Sequence, residues 1–272
     1  MKTGLNPKVH FLIVIALALG CFAFLVSRPK TIVKEEIKAI SSGSQEDTAN
    51  SSNMHMANPE ASRMAGEIRA KYATDANPLN GYRALAEMFY KSSVFDSSAF
   101  YYEQISFHSP SLENWIRSGD TYLQAYSLAL NPVKVEEMAE KTRSSYSQAL
   151  KFDPNNLHAK TNTALTFVNS QSPMRAISIL REVLDQQPKY VPAILSLGKL
   201  SMQSQQYDKA VDRFKEVLKI DIDNVDAKIG LAYSYIELGK AEDAKALLNE
   251  LLTLDIDPIV KDEVRKTLNN LK

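Results

Sequence analysis

The sequence predicts an all-α protein: helical hairpins stacked side by side into a solenoid, preceded by one membrane-spanning helix. Three observations predict it. Glycine is sparse, at 9 in 272 residues, while Ala, Leu, Lys, Glu and Gln abound, a mix that favours helices over strands. Pro154 and Pro188 stand 34 residues apart, each closing a helix-like run, and small and large apolar residues return on the same period. At the amino end, FLIVIALALGCFAFLV runs from Phe11 to Val26 without a charge.

Composition narrows the function before any motif is read. Apolar residues make up 44%, enough for a packed core. The 32 basic residues are balanced by 32 acidic ones, so the chain carries no electrostatic footprint for nucleic acid. Cys21 is the sole cysteine, which excludes an internal disulfide and a Cys-based metal site.

Residues 1–10 read as a short tail and 11–27 as a transmembrane signal anchor. Sixteen apolar residues at about 1.5 Å each span roughly 24 Å, and with their neighbours they approach a hydrocarbon core of roughly 30 Å. A cleaved signal peptide and a lipoprotein signal compete with this reading. ALGC at 18–21 resembles a bacterial lipobox, but Ala18 stands where leucine is expected and the apolar run continues past Cys21. Flanking charge does not fix the orientation. A long domain translocates largely regardless of it, which leans the expectation toward an extracytoplasmic repeat domain, periplasmic in a bacterium. Residues 28–78 read as mostly flexible linker with short helices. SSGSQEDTANSSN at 41–53 holds one apolar residue, Ala49, and cannot offset its ordering entropy. PEASRMAGEIRAKYA at 59–73 reads as helical, with Pro59 in a first-turn position and no evident packing partner.

The period is then counted. With Pro154 taken as the thirty-second residue of a unit, Ala164, Gly198 and Ala232 fall at the eighth position and Ala176, Ala210 and Ala244 at the twentieth. Leu180, Phe214 and Leu248 fall at the twenty-fourth, and Asp153, Asp221 and Asp255 at the thirty-first. Small residues let paired helices approach, larger ones fill the space between them, and Asp followed by Pro stops the second helix. Gly239 suits the turn within the last hairpin. Upstream, NPLNGYRALAEMFYKSSVFDSSAFYYEQISFHSP fits a unit from Leu79, with Ser98 where alanine is expected. WIRSGDTY, from Trp115 to Tyr122, opens another. From Trp115 to Pro154 is 39 residues where the period implies 28, and the surplus of 11 falls near LALNPVKVEEM, with Asn131-Pro132 at the turn. The units are therefore 79–111, 112–156 (irregular), 157–190, 191–224 and 225–258, followed by a capping helix over 259–272.

This pattern resembles the tetratricopeptide repeat family, with its W-x2-L-G-x2-Y stretch, central alanine, aromatic and proline. The resemblance implies a right-handed α-solenoid whose first helices line a concave groove. It places Arg83, Glu87 and Tyr90 of the first unit and Asp120 of the second in that groove. His158, Thr161, Leu165 and Asn169 follow from the third unit, and Leu195, Lys199 and Met202 from the fourth. Asp226, Ile229, Tyr233, Ile236 and Glu237 complete it from the fifth. Some family members grip an acidic chaperone tail with Lys at the fifth and Asn at the ninth position. Thr161, Leu165, Leu195, Lys199, Ile229 and Tyr233 stand there instead, so that clamp is absent. A groove mixing apolar and polar groups suits a helix or extended segment with apolar anchors.

Chemistry is sparse. Gly239-Lys240 lacks the rest of a phosphate loop, since Ser234 stands where glycine is needed and Ala241 where Ser or Thr is. His10, His55, His108 and His158 show no metal-ligand spacing, and no nucleophile elbow is present. The expectation is a membrane-anchored scaffold or adaptor that binds protein, without enzymatic activity or cofactor, in envelope assembly or protein export. A self-oligomerising structural module using Tyr233, Ile236 and Leu238 is the alternative, and an enzyme accessory subunit a distant one.

Overall fold

The computed structural model describes residues 59–168, 170 and 172–271. The tail, the Phe11–Val26 run, Cys21 and the linker before Pro59 lie outside the described residues, as does Asn169. Among the described residues no helix is long and apolar enough to cross a membrane.

The described residues form twelve helices and no strand. They are α1 (Pro59–Tyr72), α2 (Pro78–Lys91), α3 (Phe95–His108), α4 (Leu112–Leu128), α5 (Pro132–Phe152) and α6 (Leu157–Leu165), then α7 (Pro173–Gln186), α8 (Val191–Gln203), α9 (Tyr207–Ile220), α10 (Val225–Glu237), α11 (Ala241–Thr253) and α12 (Pro258–Asn270). From α2 to α11 they pair into five hairpins, each helix packing on its neighbours in the chain. The first helices of successive hairpins also meet, α4 on α6, α6 on α8 and α8 on α10.

The period becomes packing. Ala164, Ala176, Ala210, Ala232 and Ala244 are fully buried where helices cross closest. Tyr146, Leu180, Phe214 and Leu248, the twenty-fourth residues of four units, are fully buried as well. Gly198 and Gly230 face Phe214 so closely that a Cβ at Gly198 would lie 2.7 Å from its ring. The thirty-first-position aspartates act between hairpins: Asp153 and Asp221 accept hydrogen bonds from the amides of Asn156 (3.1 Å) and Asn224 (2.9 Å). Those asparagines in turn cap α6 and α10, accepting from the N–H of Ala159 and Ala227. Within the hairpins, Ser93, Gln205 and Gly239 occupy one equivalent turn position with φ of 58°, 58° and 70°. Only the last is glycine, the residue this conformation favours.

Two features depart from the sequence reading. The helix at 59–72 has a partner after all: Ala61 and Ala65 are buried against Leu85, Phe89, Tyr101 and Ile105 of the first hairpin. It belongs to the folded core rather than to the linker. The first helix of the third unit ends early, at Leu165, where the Thr166 hydroxyl turns back to the Thr163 carbonyl at 2.7 Å. Thr, Phe and Val in this stretch are weak helix formers. At the carboxyl end α12 covers the last hairpin, burying Val264 against Ala232, Leu248 and Leu251.

Candidate functional site

The face built from the first helices, α2, α4, α6, α8 and α10, carries the predicted groove residues. On α2 the buried side is Leu85, Ala86 and Phe89, which leaves Arg83, Glu87 and Tyr90 exposed on the other. The Tyr90 ring stands edge-on to Phe95 at 5.3 Å, and its hydroxyl accepts a hydrogen bond from Gln124 of the next unit at 3.2 Å. Between these units lies a pocket of about 260 Å³ lined by Tyr90, Tyr102, Arg117, Asp120, Thr121 and Gln124. The Arg117 guanidinium lies 4.9 Å from the centre of the Tyr102 ring.

Asp120 anchors a polar cluster joining the second and third units. One carboxylate oxygen accepts from the Tyr146 hydroxyl at 2.5 Å and meets His158 Nε2 at 2.6 Å. Asn162 donates to the Tyr146 hydroxyl at 2.9 Å. Burial, and then the Asp120 charge, push the Tyr146 phenol well above its ordinary pKa, so it remains a donor. The hydrogen bond to Asp120 raises the His158 pKa, with partial burial opposing. The Tyr146 hydroxyl and the His158 imidazole converge on one Asp120 oxygen. That arrangement fixes the spacing of α4, α5 and α6.

The fourth and fifth units repeat this self-pairing. Lys199 Nζ meets Asp226 Oδ2 at 2.8 Å, so a ninth-position residue again pairs with the second position of the next unit, as Asp120 does with His158. Both pairs are exposed and add little stability, but they consume charge that a bound segment would otherwise meet. Leu165, Leu195 and Met202 are half-buried between them. Thr161 is a correction: it is 2% exposed, packed into the helix contact instead of facing the groove. Glu237 is exposed, whereas Ile229 and Ile236 pack into the core beneath α12. The Tyr233 and Thr267 hydroxyls are 3.2 Å apart, so the carboxyl end of the face is occupied by the chain itself. Leu238, offered for self-association, packs into the core of the last two hairpins.

Sequence reasoning missed Arg117, Tyr146 and Asn162. Counting back from Pro154 does place Tyr146 at the buried twenty-fourth position, but not that its hydroxyl reaches Asp120. A second buried polar cluster lies away from this face. Glu103, 5% exposed, accepts from the Tyr122 hydroxyl at 3.0 Å and from Lys141 at 3.1 Å, tying α3, α4 and α5 together. Among the described residues no group of three or more His, Cys, Asp or Glu is arranged to hold a metal ion.

Comparison with known proteins agrees with this architecture. Residues 201–258 match the family model of the tetratricopeptide repeat. No curated protein matches the sequence. Among solved structures, a tetratricopeptide repeat protein from Parabacteroides merdae superposes with a TM-score of 0.55 at 18% identity, covering 78% of this chain and 82% of its own. PilW, a widely conserved type IV pilus biogenesis factor, gives 0.51 at 19%, covering 71% and 85%. A thermophilic repeat protein of Thermus thermophilus gives 0.50 at 13%, covering 65% and 91%. At these identities the likeness is one of fold.

Proposed function

We propose that this chain is a membrane-tethered scaffold that binds a segment of another protein on the face of its first helices. One observation carries the reading. That face pairs Asp120 with His158 and Lys199 with Asp226, and leaves Tyr90 exposed and Leu165, Leu195 and Met202 partly open. A surface of apolar steps separated by neutralised polar groups suits an amphipathic helix or extended segment whose apolar side chains anchor it. The groove of this reading runs from Arg83 to Met202, with Tyr233, Ile229 and Ile236 withdrawn beneath α12.

The tether is the Phe11–Val26 run, with the repeats on the extracytoplasmic side. Envelope assembly or export is the proposed setting, by analogy of fold with PilW and by the apolar run. The test is co-purification from solubilised membranes. Leu195→Asp and Tyr90→Ala should keep the helical spectrum and lose the bound protein. Retention of every partner by both variants, with the fold intact, would remove this face as the site.

A further inference from the structure

The helices of the second unit are longer than those of the regular units, and the surplus lies at one end. α4 has 17 residues against 13 in α8 and α10, and α5 has 21 against 14 in α7 and α9. These four and seven extra residues are the eleven-residue surplus of the sequence. α5 ends at Phe152, in register with Gln186 and Ile220 at the ends of α7 and α9, so its extra turns lie at its start. At about 1.5 Å per residue, the turn at 129–131 stands roughly 6–10 Å beyond the turns of the other units.

The projecting tip is apolar, and part of its backbone is bonded within the turn. Leu128 is 62% exposed, Leu130 96% and Val133 79%. No charged residue occurs between Asp120 and Lys134. The Asn131 side chain accepts from the N–H of Val133 at 2.8 Å, the Ala129 N–H donates to the Tyr126 carbonyl, and the Ser127 hydroxyl donates to the Gln124 carbonyl. At the collar, Lys134 pairs with Asp96 at 3.1 Å and Arg143 with Glu136 at 2.8 Å, so no cationic headgroup patch is formed.

We infer that this tip dips into the surface of the bilayer that tethers the chain, preferring zwitterionic lipid. Three exposed apolar side chains offer too little area for a specific protein partner. Such a partner needs about 800 Å² a side and about one hydrogen bond per 100–200 Å². A lipid interface, where headgroups and water still meet the backbone groups of the turn, asks only for exposed apolar side chains. Affinity need not be high. Residues 27–58 reach at most about 110 Å however they are arranged, which holds the tip near the bilayer at an effective concentration on the order of a millimolar. The inference rests on the proposed reading that residues 11–27 enter a bilayer.

The experiment uses the full-length chain in phosphatidylcholine proteoliposomes. With Cys21→Ser as background, a small fluorophore is attached at Leu130→Cys, at Ser204→Cys on a regular turn, or at Ala18→Cys in the apolar run. Lipids brominated along their acyl chains serve as quencher. The labels at 18 and 130 should both be quenched, the latter at least about twofold more than at 204, and Leu128→Asp with Val133→Asp should abolish that excess. Quenching at 18 without excess quenching at 130 overturns the inference and leaves the tether standing. Quenching at neither site overturns both. A blue-shifted but unquenched label at 130 means protein covers the tip, which also overturns it.

Discussion

Gly230→Ala is the sharpest test of the packing between the fourth and fifth hairpins. Alanine in place of a helix-interior glycine ordinarily gains about 1 kcal/mol. Here the new methyl would fall within the space of the Phe214 ring, which Gly198 already confines from the other side. Ordinary carbon contacts lie at roughly 3.5–4.0 Å, and a Cβ at Gly230 would sit 2.6 Å from Cε2 and 2.7 Å from Cε1 of that ring. The ring is 0% exposed and has no solvent side into which to withdraw. An overpacking cost of about 1–3 kcal/mol, less the helical gain, leaves a net loss of up to about 2 kcal/mol. Urea unfolding of residues 59–272, followed by far-UV circular dichroism, measures it. Gly66→Ala is the control, because nothing lies within 4 Å of its missing Cβ and it should stabilise. Phe214→Leu makes room, so the double variant should be less damaged than the sum of the singles by at least about 1 kcal/mol. Stabilisation by Gly230→Ala, or additivity with Phe214→Leu, would refute the reasoning.

Three further outcomes follow from the same geometry. Asp120→Asn should return the His158 pKa toward its ordinary value, read by NMR titration of the imidazole. Because the folded value is raised, the stability due to this bond is complete below about pH 6.5 and is lost as pH rises through the folded pKa, a slope that Asp120→Asn should flatten. Tyr122→Phe should cost roughly 1–2 kcal/mol in urea unfolding by leaving the buried Glu103 carboxylate one donor short. Gln205→Gly should raise the unfolding midpoint by relieving a left-handed backbone at φ 58°, a gain of up to about 1 kcal/mol.

Much of the repeat packing was legible because the crossings of these helices use a fixed set of positions. Alanine or glycine at the closest approach and a large residue at the twenty-fourth position are demanded by local geometry, and they return whenever it does. The surplus in the second unit was legible as a count, and the structure assigns it to both helices at one end. What stayed hidden depends on reach and on cover. The Tyr146 ring follows the period while its hydroxyl leaves the core to meet Asp120. Thr161 occupies a groove position by count, yet the short α6 sits so that its side chain is buried. Tyr233 was expected to be open, but α12 carries Thr267 to it from 34 residues further on. The packing of α1 was illegible because Ala61 and Ala65 bury little surface of their own and match no repeat position.

The most direct test of the central claim is a photo-crosslinking residue at Tyr90, 42% exposed on the first-helix face, in the full-length protein in its native membrane. One dominant adduct with a foreign protein is expected, absent when the same residue is placed at Ser178 on α7. Adducts to a second copy of this chain alone, or the same foreign protein captured from Ser178 and not from Tyr90, would contradict it.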